Sequence, residues 1–195
     1  MEYNFYATIS RMKYIERWAL MRNTITENLS EHSLEVSMIA HALCIIGNVR
    51  YGKNLDADKA AVIALYHDAS EIITGDMPTP IKYYNKNIKD VFKSIENDAN
   101  RQLVSQLPND IKAAYEDIFF KKDNLAYEWK LIKAADKLSA LIKCIEEEKT
   151  GNREFIKAKE ATEDSLREMT KDIPEIMDFM KEFIPSFYKT LDELN

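Results

Sequence analysis

The stretch Tyr66-His67-Asp68-Ala69-Ser70-Glu71 sets one imidazole and two carboxylates close together after an almost wholly apolar run, Ala60 to Leu65. On a helix these three groups face one side: His67 and Asp68 are about 100° apart, and Glu71 neighbours both at i+3 and i+4. Burying an unpaired carboxylate costs several kcal/mol or forces its protonation. A divalent ion removes that cost; a solvated cluster at a helix end is the alternative. Two distant residues complete the set, His32 in Ser30-Glu31-His32-Ser33 and Asp136 in Lys133-Ala134-Ala135-Asp136-Lys137. Two imidazoles and two carboxylates make a borderline-hard metal site. Four protein ligands on a six-coordinate ion leave about two positions for water or a substrate oxygen. Such an ion acidifies water and polarises a phosphoryl oxygen. The set does not choose among Co, Mn, Zn, Fe, Ni, Cu and Mg, but the missing Cys ligands argue against a closed structural zinc site.

These residues need helices to position them. Asn28 or Ser30 can cap a helix, with Glu31 placed for a capping box, and Gly47 is the expected stop. On that helix His32 shares an apolar face with Val36, Ile39 and Leu43 and therefore points inward. A lone inward histidine is commonly a satisfied core residue. His41, nine residues on, lies about 180° round and cannot serve the same site. A helix from Asn54–Asp58 to Thr74, ended by Gly75, carries His67, Asp68 and Glu71. Gly75-Asp76-Met77-Pro78-Thr79-Pro80 is expected to be a stiff loop because of its prolines, and Lys82 lies just beyond. Amphipathic helices are expected over 82–107, 111–120 and 125–149, with Asp136 on an apolar face of the last. That Asp needs a partner, which a metal or Lys133 or Lys137 would supply. Two further helices should part near Pro174, and Pro185 should kink or restart the last. Residues 4–16 form a short, weakly amphipathic segment, followed by Arg17-Trp18. Read alone, Arg17 is a surface charge and Trp18 a core anchor.

The expected fold is all-α: one helical bundle over residues 1–195, with a metal between the helices that carry His32, His67-Asp68 and Asp136. A length of 195 residues suits one domain, and 4 Gly with 5 Pro favour long helices over many strands. A net charge of −6 argues against a nucleic-acid polymer as partner, though not against a small anion near a metal. Cys44 and Cys144 sit in apolar patterns and suit a reducing compartment. No apolar leader core appears between Met1 and Asn23, and the longest apolar run, Ala60–Tyr66, is too short to span a bilayer. The expectation is a cytoplasmic protein without a membrane partner.

The His, His-Asp, Asp order is that of the HD-domain metal phosphohydrolases. The wording around it, Glu27-Asn28-Leu29-Ser30-Glu31-His32-Ser33, His67-Asp68-Ala69-Ser70-Glu71, Thr74-Gly75-Asp76-Met77-Pro78-Thr79-Pro80 and Arg17-Trp18, resembles the bacterial 5'-deoxynucleotidases of that superfamily. The resemblance extends to Pro185-Ser186-Phe187. It implies a metal-dependent enzyme that releases phosphate from deoxyribonucleoside 5'-monophosphates as a homodimer. It implies His32, His67, Asp68 and Asp136 as ligands, Glu71 as the group that positions water or transfers a proton, and Arg17 on the phosphate. Trp18, Asp76, Met77, Pro78 and Thr79 would surround sugar and base, with His32, Asp68 and Asp136 also against the substrate. Ala19 stands where the family often has Pro, and Met77 where it often has Leu; both stay apolar and bear at most on base preference. The rivals are another HD-domain nucleotide phosphohydrolase or phosphodiesterase, and a catalytically silent nucleotide-binding module. Glu71 and Asp76 are groups a silent module would not need.

Overall fold

A computed structural model describes residues 2–82 and 84–194, the side chain of Thr79 excepted. Tyr83, within the span expected of a helix over 82–107, lies outside the described residues. The chain begins with α1 (Phe5–Ile9), continued by a 3-10 segment, Ser10–Tyr14. A loop then leads to α2 (Leu29–Tyr51), α3 (Ala57–Tyr66), and the single turns α4 (Glu71–Thr74) and α5 (Thr79–Lys82). There follow α6 (Lys86–Ser105), α7 (Lys112–Phe119), α8 (Ala126–Lys149), α9 (Ile156–Met169) and α10 (Glu175–Glu182), then a 3-10 segment, Ile184–Tyr188. Among the described residues there is no strand, and the fold is all-α.

The two longest helices, α2 and α8, pack together with α3 around a core that includes Val36, Leu43, Ile63, Leu131, Leu138 and Ile142, each essentially removed from water. Each such side chain contributes about 1.5–3 kcal/mol through burial. The remaining helices close this core, α9 against α8 and α10 against α2. Length and composition alone would let α2 cross a membrane, with mean hydropathy 1.2, but 56% of that window is buried in the chain's own core. It is the central helix of a bundle. Cys44 and Cys144 are buried and free.

The start of α2 is a capping box. Asn28 accepts from the amides of Ser30 and Glu31 at 3.0 and 3.1 Å, and the Glu31 carboxylate accepts from the Asn28 amide at 3.1 Å. Its end differs from expectation: the helix passes through Gly47 and stops at Gly52, whose φ is +62°. Gly47 is instead a point of close approach. A Cβ there would meet Glu175 Oε1 at 2.7 Å and Leu55 Cδ1 at 2.9 Å.

The third helix is likewise shorter than its pattern. It ends at Tyr66, and residues 67–70 form tight turns before α4. The physical reason lies in His67. Its Nδ1–H donates to Ala64 O at 2.7 Å, alongside a 3.4 Å bond from its own amide, so the carbonyl that should continue the helix is occupied. Bonds three residues back, Ala69 to Tyr66 and Glu71 to Asp68, follow. The proline stretch also departs from a pure loop, since Thr79–Lys82 is a helical turn. Pro80 sits in its first turn, where no intrahelical N–H is required.

The loop between Tyr14 and α2 is tied at both ends. Near its base Glu16 bridges Asn28, the Arg17 amide donates to Glu27 O at 3.0 Å and the Leu29 amide to Ile15 O at 2.9 Å. At its tip, Glu147 of α8 accepts from the amides of Thr24 and Ile25 at 2.9 and 3.2 Å and from Asn152 Nδ2 at 2.8 Å, while pairing with Lys143. Both side chains of this pair are buried. Burial raises the Glu147 carboxyl, but Lys143, Asn152 and the loop amides outweigh it and hold it at about 2. Its pKa is depressed on folding, so the stabilisation is present above the ordinary value of 4.5 and is lost as pH falls towards 2. Glu147→Ala strands the Lys143 ammonium and should lower stability by about 3–5 kcal/mol in urea unfolding at pH 7. A change below 1 kcal/mol would remove this pair as the loop's anchor.

Candidate metal centre

His32 lies in the first turns of α2, His67 at the end of α3, Asp68 in the turn after it and Asp136 in the middle of α8. One ligand atom from each lies within 4.8 Å of every other. That spacing fits one ion held at the ~2.0–2.6 Å bond lengths usual for nitrogen and oxygen ligands. His32 Nε2 is 3.2 Å from Asp136 Oδ1 and 3.6 Å from Asp68 Oδ2; His67 Nε2 is 3.1 Å from Asp68 Oδ2. Both imidazole Nε2 atoms are buried without a hydrogen-bond partner. Leaving such atoms unsatisfied costs about 1–3 kcal/mol each, and a shared cation is what two lone pairs facing two carboxylates would satisfy. The donor set therefore fits a divalent ion.

Without an ion, the imidazoles and carboxylates of the cluster stabilise each other's charged forms. Burial works to raise the Asp68 carboxyl, but His67, His32 and Arg17 hold it well below the usual range. Burial likewise opposes ionisation of Asp136, which His32 brings down to about 2. Burial pushes His67 down and Asp68 more than reverses it, so its imidazole is raised. The Ala64 carbonyl holds a proton on His67 Nδ1 and leaves Nε2 to face the cluster.

Glu71 is 4% exposed, and its Oε2 is buried without a partner. Burial, and after it the charges of Asp68 and Asp76, push its carboxyl up to about 9, against Arg17 and Lys82. Without an ion in the cluster it therefore holds a proton at neutral pH. Arg17 is almost covered. Its Nη1 is 3.5 Å from Asp68 Oδ2 and its Nε donates to Glu27 Oε2 at 3.3 Å. The same Glu27 oxygen accepts from Trp18 Nε1 at 2.9 Å. Trp18 has a φ of +58°, unusual for a bulky residue, with a cost on the order of 1–3 kcal/mol. The Glu27 bond and packing on the Phe155 ring, 5.3 Å between centroids, hold it there. Asp76, Met77 and Pro78 are half-buried after Gly75, and the charge of Asp76 acts on both Glu71 and Arg17. Lys82 pairs with Glu96 at 2.6 Å, and its charge reaches Glu71. Thr79 opens α5 beside them.

Three residues at the centre received no role in the sequence reading, Glu27 being quoted only within its motif. Glu27 immediately precedes the cap of α2 and gives no periodic signal. Glu35 and Ser139 do carry one, since each lies three residues after a cluster member, His32 and Asp136, on the same helix face. His41, by contrast, stays away. It is half-exposed and 3.8 Å from Asp58 Oδ1. His41→Gln should keep the wild-type metal content and His67→Ala should lose it, as measured by metal analysis after dialysis. Equal loss in both would refute this division.

Comparison with known proteins gives the family and the fold. The family model for YfbR-like 5'-deoxynucleotidases matches residues 4–187. A 5'-deoxynucleotidase of Erwinia tasmaniensis is 45% identical over 98% of this chain and 96% of its own, and the 5'-deoxynucleotidase YfbR of Shigella boydii is 45% identical over the same shares. Among solved structures, an HD-domain phosphohydrolase from Listeria innocua superposes with a TM-score of 0.81 at 22% identity, over 94% of this chain and 88% of that one. The cyanophage S-2L HD phosphohydrolase DatZ, bound to dA and one catalytic Zn2+ ion, gives 0.65 at 20% identity, over 94% and 96%. At these identities the two structures share the fold.

Proposed function

Since the chain belongs to the YfbR-like 5'-deoxynucleotidase family, we propose how its residues divide the work of a metal-dependent 5'-deoxynucleotidase, which converts deoxyribonucleoside 5'-monophosphates to deoxynucleosides and phosphate. The observation that carries the proposal is the pair of partnerless imidazole nitrogens facing Asp68 and Asp136, next to a nearly buried Arg17. His32, His67, Asp68 and Asp136 would hold the ion. A divalent ion there acidifies water and neutralises phosphoryl charge. Arg17 binds the phosphate with its planar fork of donors, oriented by Glu27 and adjacent to the ligand Asp68. Glu71 positions a water or transfers a proton. Asp76 accepts from the sugar 3'-hydroxyl, and Trp18, Met77, Pro78 and Thr79 enclose sugar and base. His32, Asp68 and Asp136 also border the substrate.

Selectivity for deoxy substrates follows from exclusion, because a site gains nothing from an absent hydroxyl. Trp18, held by Glu27 and Phe155, and the proline-stiffened loop leave a 2'-hydroxyl without a partner. Burying it unpaired would cost roughly 1–3 kcal/mol, or about 5- to 150-fold in kcat/KM. The test is a phosphate-release screen of matched deoxy- and ribonucleotides with several divalent ions. Deoxy monophosphates should be preferred, chelation should abolish release, and Trp18→Ala should narrow the gap. Equal turnover of both sugars by wild type would refute the selectivity, and no release with any nucleotide would favour a silent binding module.

The working unit is a cytoplasmic homodimer of single-domain chains spanning 1–195. Its support is an apolar stripe left open on α2: Leu34, Met38, Ile45 and Val49 are all more than 40% exposed and lie within about 60° of one another round the helix. The His41–Asp58 contact joins this stripe to Val62 and Leu65 of α3, also exposed.

A further inference from the structure

The two histidines of the cluster meet it by different means. His67 is fixed by a backbone carbonyl, Ala64 O, at 2.7 Å. His32 has no such carbonyl. Its Nδ1 lies 3.1 Å from Ser139 Oγ, and the Glu27 carboxylate, at 3.8 Å from Oε1, is too far for a hydrogen bond. Ser139 is fully buried, and its hydroxyl donates to Glu35 Oε2 at 2.5 Å. A hydroxyl has one proton. Burial pushes the Glu35 carboxyl up to about 7 against the pull of the Ser139 hydroxyl; ionised, it can only accept, so the Ser139 proton is directed at it, Ser139 Oγ accepts from His32 and Nδ1 carries the hydrogen. The neutral imidazole then has its lone pair on Nε2, the atom aimed at Asp136 and Asp68. If the hydroxyl pointed at His32 instead, Nε2 would be protonated and could not ligate an ion.

We propose that Ser139, backed by Glu35, is a positioning residue that sets the tautomer and the ring orientation of His32 for ion binding. The pair does for His32 what the Ala64 carbonyl does for His67. The helix spacing makes the arrangement economical: α2 carries His32 with Glu35, and α8 carries Asp136 with Ser139, in each case three residues apart. Partners behind a ligating histidine commonly raise metal affinity by 10–100-fold. The inference rests on the metal reading above.

Cobalt(II) titrated into the chelator-stripped protein tests it, with affinity from chelator competition and coordination from the visible absorption band. Ser139→Ala should weaken Co2+ binding by about 10–100-fold and alter the band. Ser139→Thr keeps the hydroxyl and should restore both, and Glu35→Gln should fall between, since an amide oxygen still accepts from Ser139. Nitrogen NMR of His32 in the stripped protein gives a second readout that needs no ion: Nδ1–H in wild type and in Ser139→Thr, mixed tautomers in Ser139→Ala or, should that variant not fold, in Glu35→Ala, which removes the acceptor. Wild-type affinity and tautomer in Ser139→Ala would overturn the proposal, as would equal weakening by Ala and Thr. Co2+ binding that His67→Ala leaves untouched would remove the metal reading and this inference with it. That outcome is distinct, because Ser139 would then be irrelevant to Co2+ while the NMR tautomers stood.

Discussion

Glu71→Ala should keep its metal and lose about 10²–10⁴ in kcat, the range that general acid–base catalysis supplies. The side chain is 4% exposed and one turn past His67, its Oε2 has no partner, and its carboxyl is pushed up to about 9. A group so placed can position a water or transfer a proton where water and phosphate would meet. Glu71→Gln separates charge from shape, because it fills the same space without a transferable proton and should be nearly as slow as the alanine variant. The same residue should be a liability for folding. Its pKa is raised on folding, so the native chain keeps a proton that the unfolded chain releases, and stability falls as pH rises from the ordinary 4.5 towards about 9. Metal-free Glu71→Gln should therefore melt higher than metal-free wild type at pH 8. Near wild-type turnover in Glu71→Ala, with metal retained, would take Glu71 out of the mechanism.

Arg17→Ala should lower kcat/KM on the order of 10²–10³, as loss of a preorganised donor to a developing anion does. The loss should be the same for deoxy and ribo substrates, because the phosphate is common to both. Arg17 is held on one side by Glu27 and reaches Asp68 on the other, so its guanidinium is set before substrate arrives. Arg17→Lys keeps the charge but lacks the fork that spans both contacts, and should recover only part of the activity. The informative comparison is with Trp18→Ala, which should change the deoxy-to-ribo ratio more than the rate on the better substrate. If Arg17→Ala abolished the preference and Trp18→Ala left it intact, the assignment of phosphate and sugar to these neighbours would be reversed.

Much of the fold is legible in the chain because its cause is local. Apolar spacing near 3.6 residues marks α6 and α8, and the Asn28–Glu31 capping box marks the start of α2. The inward face of His32 and the opposite placement of His41 follow from helix angle alone. The resemblance supplied the family and with it the enzyme, which no periodicity contains. Local reasoning failed where a distant group or a side chain took over the backbone. Gly47 looks like a helix stop, but it is Glu175, from the far end of the chain, that needs the space its missing Cβ leaves. The helix expected to run to Thr74 breaks after Tyr66, because the His67 ring takes the carbonyl that would have continued it. Only the tertiary structure brings Asp136 within 3.2 Å of His32, two residues 104 positions apart. Only it reveals Glu27 beneath Arg17 and Trp18, the left-handed backbone of Trp18, and the Ser139–Glu35 pair behind His32. Helix pattern specifies which way a side chain points. What it points at depends on how α2, α3 and α8 pack, and that is settled by burial of the whole core rather than by any single stretch of it.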